Sequence, residues 1–349
     1  MITIYDVAKK AGVSPSTVSR VLNKHDNVRE ETKKRVEQAC RELNYVPNAN
    51  ASSLRKKNTK TLALIVPEIK NPFFTSILEG FEGRTGKSGY ITLICNTNEN
   101  SKKEKDFIKT IIAKRIDGVA ISTVSKSSSH LQAVINRDIP VVLLDRDIDD
   151  LDVDVVCGDS YQGAVDLVNH LIGLGHRRIA IITGPVHLST SRERVEGYKQ
   201  ALNNANISID NNLIKIDKKS EGFSSKRAYE MAKELLELPE LPSAIFVGNN
   251  FMAIKVYQAL IEENLKVPDD IAIVCFDDLN FMYEIEPFFT TMRQPAFTMG
   301  KMAAEILVNK IEGKYENNKQ KVKLQPELVI RKSCGAYKNN VGRKGCREE

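Results

Sequence analysis

Two sets of residues in this chain have the types and spacing to do chemistry. Ser14, Pro15, Ser16, Thr17, Ser19 and Arg20 put short hydroxyl donors and one guanidinium fork within seven positions. Such a fork pairs bidentately with guanine O6 and N7, and small hydroxyls bond to base edges of either kind. The second set is scattered: Asn71, Phe73, Phe74, Asp145, Arg146, Arg194, Phe223, Asn249, Asp277 and Gln294. Carboxylates, guanidinia and amides give the planar, paired hydrogen bonds that vicinal hydroxyls accept and donate, while phenyl faces cover the C–H surface of a pyranose ring. That combination suits a neutral sugar better than a purine or an amino acid.

The first set needs a helix pair to present it. Thr3 can cap a helix from Ile4 to Ala11, with Ile4, Val7, Ala8 and Ala11 on one apolar face. Gly12 permits a sharp stop, Ser14 is a second N-cap, and Pro15 falls at the first helical position, where its missing N–H is harmless. This is the grammar of a helix-turn-helix, whose second helix lies in the major groove. Val18, Val21 and Leu22 would face the first helix and leave the hydroxyls and Arg20 outward. A third helix, Glu30 to Leu43, carries Thr32, Val36, Ala39, Cys40 and Leu43 on the stripe that closes the core. The bland alternative is a small helical cap with a solvated charged face.

The second set needs a parallel sheet. From Thr61 onward, short apolar strands (61–67, 91–96, 118–123, 141–145, 178–184, 243–248, 271–276) alternate with amphipathic helices, which predicts an α/β core. Ligands of open parallel sheets bind at the carboxyl ends of the strands, and the scattered set falls there. Each residue also has a plainer reading: Asp145 and Asp277 as helix caps, Arg194 in a surface ion pair, Phe74 and Phe223 as core. The two aspartates could also imitate a glycosidase acid–base pair, but no nucleophile, metal-ligand or phosphate-loop motif accompanies them. No enzyme, cofactor or metal is expected.

Charge supports the division. Residues 1–60 hold 13 Lys and Arg against 6 Asp and Glu, and the rest of the chain 38 against 39, so the positive excess sits on the part that would meet phosphate. Six cysteines, at 40, 95, 157, 275, 334 and 346, show no C-x-x-C and read as small core residues in a reducing compartment. Without an apolar run near 18 residues or a signal-peptide start, no membrane association and a cytoplasmic location are expected.

The head motif DVAKKAGVS-x-x-TVSRVLN, Val28 and ELNYVPN resemble the lac-repressor and GalR family along their whole length. The resemblance covers residues 2 to about 333. It implies a three-helix helix-turn-helix head over 1–46 and a hinge helix over 47–60 that orders on double-stranded operator DNA. It also implies a homodimer with a two-lobed periplasmic-binding-protein-like core over 61–336. The first lobe is expected at about 61–158 plus 290–322 and the second at about 159–289 plus 323–336. The resemblance adds Thr3, Tyr5, Asn23, Asn48, Ala51, Leu54 and Arg55 to the DNA-contacting residues, with Leu54 as a minor-groove wedge that kinks the duplex. The motifs N-P-F-F, D-R, R-E-R-x-E-G, G-N, F-D and T-x-R-Q-P are similar to those of ribose-binding proteins and ribose-responsive repressors. Ribose or a similar pyranose is therefore the implied effector. Asn250 departs from the commoner asparagine-aspartate pair and puts one contact beside Asn249 in doubt. Residues 337–349, polar and basic without leucine heptads, are expected to form a disordered tail. A periplasmic-type sugar carrier and a regulator needing a corepressor remain alternatives at this point.

Overall fold

The computed structural model describes residues 2–22, 28–45, 58–279, 287–314 and 319–336. They form two compact units that divide after Thr59. Asn23, the expected hinge with Asn48, Ala51, Leu54 and Arg55, Cys346 and the tail lie outside the described residues.

In the first unit, α1 (Ile4–Ala11), α2 (Pro15–Leu22) and α3 (Glu30–Glu42) enclose Val7, Ala8, Ala11, Val18, Val21, Val36 and Ala39. The Asp6 carboxylate accepts from the Thr3 amide at 2.8 Å and from the Thr3 hydroxyl at 2.7 Å, so Asp6 ties down the start of α1 as the acidic partner of a capping box does. Gly12 ends α1 in the left-handed region at φ 64°. Ser14 Oγ accepts from the Thr17 amide at 3.2 Å, which starts α2 after a turn of three residues.

The second unit contains two parallel-dominated sheets of matching order. The first runs β11 (Lys321–Leu324), β5 (Asp154–Gly158), β4 (Val141–Leu144), β3 (Gly118–Ile121), β1 (Thr61–Val66), β2 (Ile91–Asn96). The second runs β12 (Glu327–Val329), β10 (Thr290–Arg293), β9 (Ala272–Phe276), β8 (Ala244–Val247), β6 (Ile179–Thr183), β7 (Ile214–Ile216). Their central strands are buried throughout, as the unbroken apolar runs require of strands covered on both faces. The helices described in this unit are α4 (Pro72–Lys87), α5 (Ser101–Lys114), α6 (Ser129–Ile135), α7 (Ser160–Gly173), α8 (Ser189–Asn204), α9 (Ser225–Leu236), α10 (Asn250–Glu262) and α11 (Ala296–Ile311).

One boundary moves. The expected return to the first lobe at residue 290 falls later, because β10 pairs with β9 and β12 and belongs to the second sheet. The chain crosses back only at Gln294 and Pro295, between β10 and α11. β11 pairs with β5 in the first sheet, which puts the last crossing near Gln325, within a few residues of the expected bound. The displacement at β10 arises because a strand of four residues carries no lobe label in its own sequence; the pairing partner decides. In the first lobe α4 and α11 pack at backbone distance, where a Cβ on Gly80 would lie 2.0 Å from Phe297 O and one on Gly300 1.9 Å from Ile77 O.

Candidate functional site

A cavity of about 370 Å³ lies at the carboxyl ends of the two sheets. Asn71, Phe73, Phe74, Asp145 and Arg146 line it from the first lobe, and Arg194, Phe223, Asn249 and Asp277 from the second. Nine of the ten scattered residues thus converge. Gln294 stands one layer behind, donating from Nε2 to Asp277 Oδ1 at 2.7 Å.

The two aspartates occupy equivalent places. Asp145 follows β4 and Asp277 follows β9, each in the left-handed region, at φ 64° and 66°. The Asp145 amide donates to Val156 O of β5 at 2.9 Å, and the Asp277 amide to Met292 O of β10 at 3.0 Å. Neither caps a helix. Asn71 and Asn249 do, accepting from Phe73 N at 3.1 Å and Met252 N at 2.8 Å, so the capping role belongs to the amides. Arg194 is 2% exposed and forms no surface ion pair; its Nη1 donates to Gly248 O at 2.5 Å and its guanidinium lies 3.9 Å from the Phe276 ring centre. Phe223 sits between the cations, 5.5 Å from Arg146 Cζ and 5.8 Å from Arg194 Cζ.

Several lining residues give no periodic signal in the sequence. Glu99 takes both terminal nitrogens of Arg146, at 2.7 and 2.9 Å, and Arg146 also donates to Thr123 O at 3.2 Å. Glu68, Asn98, Phe251 and the 220–225 segment complete the wall. Glu221 in that segment accepts from the amide and hydroxyl of Ser101 at the start of α5, both at 2.7 Å, joining the lobes. A spacing argument could not find these loop residues; only the fold brings them in. Asn250, the departure from the usual pair, is fully buried, and its Nδ2 donates to Asn71 Oδ1 at 3.0 Å and Asp278 O at 3.2 Å. An aspartate there would set a second acceptor against Asn71 Oδ1. The substitution therefore replaces repulsion with a bond across the cleft floor.

Burial raises the Asp145 carboxyl to about 6, against the downward pull of Arg146 and Arg194. Burial also raises Asp277, opposed by Arg194 and by the bond from Gln294. It lowers Arg194, opposed by Asp277 and Asp145. Asp145 Oδ1, Arg146 Nε and Arg194 Nε are buried without a hydrogen-bond partner in the protein. Buried polar atoms are ordinarily paired, and these three belong to residues that line one cavity, where a polyhydroxyl guest supplies both donors and acceptors.

In the head, Tyr5, Ser16 and Arg20 are exposed, and Pro15, Thr17 and Ser19 are partly so. Ser14 Oγ lies 2.7 Å from Ser16 Oγ and 2.9 Å from Thr17 Oγ1, so the hydroxyls form one cluster at the start of α2. Among the described residues no group of His, Cys, Asp and Glu could hold a metal, and no helix is long and apolar enough to cross a membrane. Of the cysteines described, 95, 157, 275 and 334 are buried and Cys40 is partly so, all as free thiols.

Comparison with known proteins agrees with this arrangement. Residues 3–48 match the model of bacterial regulatory proteins of the lacI family, and residues 168–334 match a periplasmic binding protein-like domain. The HTH-type transcriptional repressor PurR of Photobacterium profundum is 36% identical over 335 residues, covering 95% of this chain and 98% of that one. The chain belongs to the LacI family. LacI-family proteins are DNA-binding transcription regulators, not enzymes, and act as dimers on operator DNA under a small-molecule effector. The lac repressor dimer bound to operator and the anti-inducer ONPF superposes with a TM-score of 0.79 at 26% identity, over 95% of this chain and 99% of that one. The regulator CelR in complex with cellobiose superposes at 0.71 with 28% identity, over 95% and 100%. For this LacI-family chain the head removes the periplasmic-carrier alternative, since a carrier has no use for one.

Proposed function

We propose that this protein is a homodimeric repressor released from its operator by a neutral pyranose, ribose first, held in the cleft. The observation that carries the sugar reading is one cavity lined by Asp145, Arg146 and Arg194, whose Oδ1, Nε and Nε have no partner in the protein, together with Phe73, Phe74 and Phe223. Vicinal hydroxyls both donate and accept, which a carboxylate beside a guanidinium requires; an apolar guest would leave all three unpaired at about 1–3 kcal/mol each. A related regulator seen with cellobiose supports carbohydrate as the ligand class.

Ser16, Thr17 and Arg20 are the proposed base readers, with Thr3, Tyr5, Ser14, Pro15, Ser19 and Asn23 positioning the head. The proposed hinge, with Asn48, Ala51, Leu54 and Arg55, couples the two functions: sugar shifts the first lobes of the dimer and withdraws the paired hinges from the minor groove. A coupling of about 1–3 kcal/mol changes operator affinity five- to 150-fold. Calorimetry on the full-length protein tests the ligand: ribose should give saturable heat, weakened in Asp277→Ala, and no heat with any pentose or hexose would end the sugar reading. For the head, Arg20→Ala should cost about 1–3 kcal/mol and blur one operator position. An unchanged preference in a randomised-site selection would remove Arg20 as a reader.

A further inference from the structure

Resting on the cleft as the effector site, we infer that the cleft excludes anions and that Glu99 enforces the exclusion, so phosphorylated sugars and other anionic metabolites are not its effectors. Buried guanidinia at a cleft are ordinarily suited to phosphate, because their fork matches its oxygens. Here part of that capacity is already used, most fully at Arg146. Both terminal nitrogens of Arg146 are held by Glu99. Arg194 donates to Gly248 O and lays its face on Phe276.

The charge balance points the same way. Among the described lining residues, Glu68, Glu99, Glu221, Asp145 and Asp277 face only Arg146 and Arg194. Even with both aspartates left out of the count, three carboxylates oppose two cations. A phosphate monoester would add about 1.5 to 2 negative charges to that excess.

Glu99 is also fixed in place. It has left-handed backbone at φ 52°, and a Cβ on Gly222 would lie 1.8 Å from its Oε2, so the 220–223 segment rests directly on the carboxylate. That segment is tied through Glu221 to Ser101. An anion could not claim Arg146 without displacing Glu99 and the segment above it. The plainer role, in which Glu99 only satisfies a buried arginine, predicts no gain of anion binding when its charge is removed.

The test uses inorganic phosphate, small enough that its size cannot decide the outcome, on the full-length protein. In wild type, phosphate at tens of millimolar should neither raise the melting temperature through the cleft nor compete with ribose. In Glu99→Gln it should compete, raising the apparent ribose Kd at least about tenfold, equal to about 1.4 kcal/mol; Glu99→Asp, which keeps the charge, should behave as wild type. Competition with ribose separates the cleft from phosphate binding at the basic head. Phosphate competing in wild type would overturn the exclusion, and no gain in Glu99→Gln, or an equal gain in Glu99→Asp, would overturn the role of Glu99. Should Glu99→Gln fail to fold, Gly222→Ala, which pushes the carboxylate off Arg146, should show the same gain, and its absence refutes the role equally. If wild type binds no sugar, the sugar reading fails by itself; phosphate stabilising Glu99→Gln but not wild type would still uphold the charge rule, and no difference would reject it.

Discussion

The two lobes end equivalent strands with an aspartate in the same left-handed conformation, yet they neutralise the two carboxylates differently. Asp277 has a donor of its own, Gln294, delivered by the chain that crosses between the lobes. Asp145 has none on Oδ1 and relies on nearby guanidinia, one of which is already committed to Glu99. The second-lobe acid therefore has a protein donor without a guest, whereas the first-lobe acid needs one. Recognition energy should be concentrated on the first-lobe acid and positioning on the second.

The strongest way to break that comparison is ligand affinity. Asp145→Ala should weaken ribose binding by about 100-fold, the roughly 3 kcal/mol expected when one partner of a buried charged hydrogen bond is removed. Gln294→Ala, acting only through Asp277, should cost about tenfold by calorimetry. Equal losses would erase the distinction.

Stability in the absence of ligand sharpens it. An aspartate held at about 6 in the fold and near 3.8 in the unfolded chain binds its proton more tightly when folded. Stability thus falls as pH rises from about 4 to 6, by up to about 3 kcal/mol. Asp145→Asn should recover most of that at pH 7 in urea unfolding and nothing below pH 4, while Asp277→Asn gains less because Gln294 already steadies the charge. A gain at Asp145 that persists at pH 3 would show the cause to be packing. The smallest expected effect is at Gly158, where a Cβ would lie 2.0 Å from Gln294 Oε1. Gly158→Ala should cost about 1–2 kcal/mol by moving that side chain, with ribose affinity falling no further than in Gln294→Ala.

Much of this was legible in residue order because each signal was local. Gly12, Ser14 and Pro15 punctuate the head within four positions, and the apolar runs of β1, β3, β4 and β9 admit little but buried strands. The strand-end rule then assembled residues as distant as Asn71 and Asp277. It failed where partnership is not local. Thr290–Arg293 reads as a strand but not as a member of one lobe. The helix Ala296–Ile311 was not expected, and β7, of three residues, is too short to show a period. Glu99 and Glu221 sit in loops whose composition resembles any solvated turn, and only the approach of the other lobe gives them work.

The helix α4 begins at the cleft with Asn71, its cap and a lining residue, and halfway along it meets α11 with no side chain between the backbones at Gly80 and Gly300. Two rods touching main chain to main chain have no soft layer in which a small movement could be lost. A push by the guest on the mouth of α4 is therefore shared with α11, and the pair answers it as one beam.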